Sequence, residues 1–159
     1  MYQRTVGFFE AIGRAFSNYC VFTGRASRSE YWWFVLFCFL VEVVLYALAV
    51  FLALGAIFNA GIGATSPAIL MSVGAALIPT IMLWIFGFLV FLPSLGLMFR
   101  RLHDTGRSGW WWLIGFVPFV GGIVLLVFFC LPSYPGENQY GPIPNEEPLP
   151  VPPYATQAY

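Results

Sequence analysis

The stretch RRLHDTGRSGWWW, residues 100–112, decides the fold. It is largely polar, carries three arginines, lies between two long apolar runs and closes on three tryptophans. Those runs have the length a bilayer demands, roughly 20 residues for a hydrocarbon core about 30 Å thick. The stretch is therefore a loop at a membrane surface, and its arginines mark the cytoplasmic side. An earlier stretch, FTGRASRSEYWWF at 22–34, repeats the device: Thr23-Gly24-Arg25 and Thr105-Gly106-Arg107 each precede a Ser and then a Trp pair that opens an apolar run.

Composition points the same way. Hydrophobic residues make up 60% of the chain and charged ones 9%, against roughly 25% charged in ordinary globular proteins. A water-facing surface cannot be built from that. Seven cations, all Arg, balance seven acids, so no basic excess suggests nucleic acid as a partner. No zinc-type spacing joins Cys20, Cys38 and Cys130, which read as isolated packing cysteines, and no metal or cofactor motif is found.

Taken in order, residues 1–30 form an N-terminal segment without the apolar core and small-residue cleavage site of a signal peptide. Within it Phe8, Phe9, Ile12, Ala15, Phe16 and Tyr19 recur at helical spacing, which predicts an amphipathic helix, either lying in the interface or packed on the spanning bundle. Ser27 and Glu30 make the S-x-x-E pattern of a capping box, so a helix starts there. The expected membrane domain covers 31–131, with spans at 31–54, 69–99 and 110–131 and a short uncharged outer loop at 55–68. The second span is longer than the hydrocarbon core, so tilt, a kink near Pro79 or Pro93, or a protruding end must absorb the excess. Residues 132–159 hold eight of the twelve prolines and read as an extended or disordered tail. The predicted fold is thus an all-α membrane protein of three transmembrane helices, preceded by an amphipathic helix and followed by a proline-rich tail. Arg occurs four times before the first span, three times between the second and third, and nowhere else. The positive-inside rule then places the N-terminus and the central loop in the cytoplasm and the tail outside.

FTGRASRSEYWWF, FRRLHDTGRSGWW and the later CLPSYPGENQYGP together resemble the domain of unknown function 805 (DUF805) family of small bacterial inner-membrane proteins, over roughly residues 19–144. The Arg-Arg-Leu-His-Asp block at 100–104 carries most of the resemblance. It implies a location in the bacterial inner membrane and no biochemical activity. The long uncharged outer loop and the added proline-rich tail depart from the family pattern.

Three sets of residues bear on function. Arg25, Arg28, Arg100, Arg101 and Arg107 lie by two helix starts, where free N–H groups and guanidinium groups suit a phosphate, although arginines in such places also serve topology alone. His103 beside Asp104, with Glu30 nearby, forms a possible polar network. Adjacent residues seldom face each other, so Asp104 is expected to pair with Arg25, Arg28 or Arg107, or to cap the turn at Gly106, rather than to activate His103. Glu42 falls near the bilayer midplane, where an acid is costly. It reads as a station on an ion or proton path or as a neutral acid joining two helices, with Trp84 or Thr80 as donor. No catalytic residue is assigned. The first reading is a non-enzymatic inner-membrane protein whose arginine face engages anionic lipid headgroups or a partner protein. The alternatives are an oligomeric transport or proton-coupled component using Glu42, and an enzyme acting on phosphorylated lipid. A homo-oligomer or a larger membrane partner is needed for the transport reading, because three spans enclose little.

Overall fold

The computed structural model describes residues 2–63 and 65–147. Its elements are β1 (Tyr2–Gln3), α1 (Phe8–Ser17), α2 (Arg28–Gly61), α3 (Ser66–Asp104), a 3₁₀ helix at Gly109–Phe116, α4 (Gly121–Cys130) and β2 (Glu146–Glu147). The fold is helical apart from the short antiparallel ladder of β1 and β2, which pairs Tyr2 with Glu147 and Gln3 with Glu146. The chain divides into a polar unit, Met1–Phe34 with Leu95–Tyr159, and an apolar unit, Val35–Ser94.

In the apolar unit, the long stretches of α2 and α3 expose Phe39, Val44, Phe51, Leu70, Met71, Ile78 and Phe88. Such a surface suits lipid and not water. α2 and α3 run 34 and 39 residues, each long and apolar enough to cross a membrane. Phe37 and Phe86 meet edge to face at 6.1 Å. The outer loop expected at 55–68 is mostly helix, because α2 continues to Gly61 and α3 begins at Ser66. Its alanines are strong helix formers, and Pro67 falls in the first turn of α3, where its missing N–H leaves nothing unpaired. Pro79 and Pro93 sit inside α3 without ending it.

The first helix of the polar unit, α1, buries Ala11 and Ala15 and leaves Phe9 exposed. Phe8 and Phe16 meet Trp33 and Phe34 at 5.8 and 5.9 Å. The amphipathic helix is thus present and packs on the first turns of α2. Ser27 Oγ accepts the Glu30 N–H at 3.3 Å, which is the N-cap half of the expected box.

The run 110–131 is not one continuous helix. It breaks into the 3₁₀ helix and the ten-residue α4, which is about 15 Å long, half of a hydrocarbon core about 30 Å thick. The two pieces fold back on each other: Trp111 faces Phe128 with ring centroids 5.6 Å apart. The turn is tight, with the Val120 N–H donating to the Pro118 carbonyl at 2.8 Å and Phe119 at φ 66°. A Cβ on Gly121 would stand 1.8 Å from the Ile114 carbonyl oxygen, so the two pieces touch only because that residue is glycine. Twenty-two apolar residues satisfy the length criterion for a span whether the chain crosses or doubles back, and the turn at 117–120 decides for the second.

The placement of the tail changes with it. Residues 131–147 bond to the arginine loop and to the N-terminal segment: the Tyr134 N–H donates to the Asp104 carbonyl at 2.8 Å and the Arg4 N–H to the Asn145 carbonyl at 2.9 Å. This part of the expected free tail is fixed by hydrogen bonds. The remainder, from 148 on, lies outside the described residues.

Candidate functional site

The site is assembled at the C-terminal end of α3. There the helix stops in a Schellman-type cap, with the Arg107 N–H bonded to the Leu102 carbonyl at 3.0 Å, the Gly106 N–H to the His103 carbonyl at 2.9 Å, and Gly106 at φ 75°. A glycine relieves the backbone there because it has no Cβ to clash. Asp104, the last helical residue, is fully buried. Its Oδ1 accepts Arg25 Nε at 3.0 Å and Nη2 at 2.9 Å. Its Oδ2 accepts Arg101 Nη1 and Ser133 Oγ, the latter at 2.6 Å. One carboxylate thus faces two guanidinium groups, and carbonyls take up the remaining donors. Arg25 reaches Tyr134, Gly136 and Gly141 at 2.9, 2.8 and 3.2 Å. Arg101 reaches Phe129 at 3.2 Å and also Leu131. Those last two are terminal carbonyls of α4, which lack partners within the helix and carry its negative dipole end. Arg101 therefore caps α4 and fixes where the hairpin returns.

A second network lies around Glu30. Arg100 Nη1 reaches its Oε1 at 3.2 Å and Arg14 its Oε2 at 3.9 Å. Arg14 also bridges to Glu10 at 2.8 Å and bonds Asn145, whose amide donates to Ser27 Oγ at 3.1 Å. Glu30 points to these arginines rather than back to the N-cap, so only half of the capping box forms. Burial pushes the Glu30 carboxyl above its ordinary range, opposed by Arg100 and Arg14. The Arg100 carbonyl accepts the Ala26 N–H at 3.1 Å, which ties the first TGR stretch to the end of α3.

His103 does not address Asp104. Its Nδ1 donates to the Gly24 carbonyl at 3.2 Å, and its ring stacks on Tyr140, 3.8 Å between centroids and 5° from parallel. Burial holds its imidazole below the ordinary value of about 6.5, with the Gly24 bond opposing. With both Asp104 oxygens taken by cations and a hydroxyl, the pair offers neither a general base nor a relay. No cluster of three or more metal-ligating side chains is found among the described residues.

The expected five-arginine face is divided. Arg25, Arg100 and Arg101 are buried and paired internally, so they present no charge to an outside anion. Arg28 is exposed, and Arg107 stands over the Phe128 ring at 4.1 Å. The two TGR stretches do match in backbone, since Gly24 has φ 86° and Gly106 φ 75°. Ser108, like Ser27, caps a helix start, accepting the Trp110 N–H at 3.4 Å, although the helix it opens is the 3₁₀ piece. Glu42 is exposed and lies in a shallow groove with Leu83. The donors expected for it do not reach it: Thr80 Oγ1 donates to its own helix at the Ala76 carbonyl, 3.0 Å away, and Trp84 lines a different groove.

Sequence reasoning missed the segment that completes the site, residues 131–145. Its density of turn formers, LPSYPGENQYGP at 131–142, was the available signal, since Pro, Gly and Asn at that density build consecutive turns. The family described as Protein of unknown function (DUF805) matches residues 19–142. The chain belongs to the DUF805 family. The DUF805 match contains Arg25, Arg101, Asp104 and the residues bonded to them, while Glu10, Arg14 and Asn145 fall outside it. Two Escherichia coli (strain K12) proteins are similar over most of their length. Inner membrane protein YhaH is 39% identical over 135 residues, 85% of this chain and 96% of the relative. Inner membrane protein YhaI is 42% identical over 128 residues, 80% and 89% respectively. No solved structure matches the chain. A DUF805 chain whose relatives are inner membrane proteins, and whose helices are apolar enough to cross a bilayer, is a membrane protein.

Proposed function

We propose that this chain is a non-enzymatic protein of the bacterial inner membrane that crosses twice, keeps both termini in the cytoplasm, and holds anionic lipid headgroups with Arg28 and Arg107. The 3₁₀–α4 hairpin dips into the cytoplasmic leaflet and returns. All seven arginines belong to the polar unit, which supports a cytoplasmic location for it. The hairpin exposes Trp110 at its base and Phe116 and Phe119 toward its tip. That gradient suits a re-entrant wedge with its aromatic base at headgroup level.

The observation that carries the lipid reading is a local excess of positive charge. Burial pushes the Arg101 guanidinium down from its ordinary pKa, Asp104 opposes, and Arg28 adds to the depression. Arg25 and Arg101 already share the one carboxylate of Asp104, and Arg28, whose charge Arg101 feels, has no ion-pair partner among the described residues. An external phosphate completes the balance. Each Arg near an anionic surface contributes about 1 kcal/mol, so Arg28→Gln with Arg107→Gln should weaken retention of phosphatidylglycerol or cardiolipin by about 30-fold. Native mass spectrometry of wild type and double variant checks this. Equal retention by two correctly inserted proteins would leave these arginines as topology signals alone.

A further inference from the structure

Outside the polar unit, one stripe of α2 carries two polar side chains that no described residue satisfies. Phe39, Glu42, Val43 and Tyr46 are spaced three and four apart and therefore share a face. All four are exposed, and with Ala47 and Leu83 they line one shallow groove. Neither the Glu42 carboxyl nor the Tyr46 hydroxyl has a hydrogen-bond partner among the described residues. Polar groups facing hydrocarbon are strongly penalised and are met almost always against another helix or a water-filled space.

We propose that this stripe is the seam of a parallel homodimer, in which the Tyr46 hydroxyl of each copy donates to the Glu42 carboxyl of the other. Copies inserted the same way place Glu42 at the same depth on both. Tyr46 lies one turn further on, about 6 Å along the axis. Helical side chains lean toward the N-terminus, which brings its hydroxyl back to the level of Glu42. A two-fold axis makes the bond reciprocal, so one donor and one acceptor per chain satisfy each other twice. Phe39 and Val43 supply apolar contact beside the pair, and the small Ala47 allows close approach. This self-complementarity is why a second copy fits better than a foreign helix, which would need the same two groups in the opposite arrangement. The inference requires only that α2 crosses the membrane, so it succeeds or fails independently of lipid binding by Arg28 and Arg107.

The test uses the full-length protein with its three cysteines replaced by alanine, in phosphatidylethanolamine–phosphatidylglycerol vesicles at high lipid-to-protein ratio. A single cysteine is placed at Val43, on the stripe, or at Val44, about 100° around the helix. Oxidation with copper phenanthroline should link copies bearing Val43→Cys and not those bearing Val44→Cys. Energy transfer between copies carrying only the exposed Cys20 reports association without touching the seam. By that measure Tyr46→Phe should lower the association constant about tenfold, the expected effect of losing two interhelical hydrogen bonds. Glu42→Gln, which keeps an acceptor oxygen, should associate like wild type. Equal linking at Val43 and Val44, no transfer between wild-type copies, or no change with Tyr46→Phe would each overturn the proposal.

Discussion

Asp104 is the residue on which the polar unit turns, because it is the one carboxylate between two buried guanidinium groups. Asp104→Asn keeps the shape and removes the charge, leaving Arg25 and Arg101 uncompensated. Breaking a buried pair in this way costs about 3–5 kcal/mol, so the variant should unfold at a markedly lower temperature in detergent; an unchanged midpoint would mean that the carbonyls alone hold both arginines. His103 predicts a pH effect of definite sign. Its folded pKa is depressed, so both states are neutral well above about 6.5, and below that value the unfolded chain takes up a proton that the folded one resists. Wild type should therefore lose stability relative to His103→Gln as pH falls below about 6.5, measured by denaturant midpoints at a series of pH values. A constant difference across the series would contradict a buried neutral imidazole. Arg25 was one of three arginines that the sequence offered Asp104, beside a cap of the Gly106 turn, and the sequence alone did not choose among them. The second partner, Arg101, was not among them, because it acts along its own helix and through the carbonyls of α4, and neither relation leaves a mark on charge counting.

Among the elements, the hairpin of the 3₁₀ helix and α4 is where sequence and structure part. The start of α2 was legible from Ser27 and Glu30, and α1 from its apolar spacing, because caps and periodicity are local. Whether 22 apolar residues cross or double back depends on one turn and on a contact between backbones. Pro118, Gly121 and Gly122 mark a bend by composition, but a bend in a span and the tip of a hairpin have the same composition. Gly121→Ala tests the contact directly. Its Cβ would meet the Ile114 carbonyl, whereas a Cβ at Gly122 meets nothing within 4 Å. Overpacking of this kind costs about 1–3 kcal/mol. Gly121→Ala should accordingly lower thermal stability in detergent and Gly122→Ala should not. Equal behaviour of the two variants would remove the close approach on which the hairpin depends.

At the scale of the whole molecule, the uneven spread of charge is the dominant feature. Every arginine and six of the seven acids fall in the polar unit, and the lone exception, Glu42, marks the proposed seam. The membrane class was legible in the sequence from that composition, and the proposed cytoplasmic side of the arginine loop rests on the same asymmetry. The tail could not be placed by the same rule, since residues 132–159 contain no arginine, and the side expected for it depended on 110–131 being one continuous span, whereas that run is broken into two pieces. The most direct measurement is a pair of fusions after Tyr159, one to green fluorescent protein and one to alkaline phosphatase, in bacterial cells. Two crossings and a re-entrant hairpin predict a fluorescent first fusion and an inactive second. Phosphatase activity after Tyr159, with no fluorescence from its counterpart, would put the tail across the membrane and contradict the hairpin.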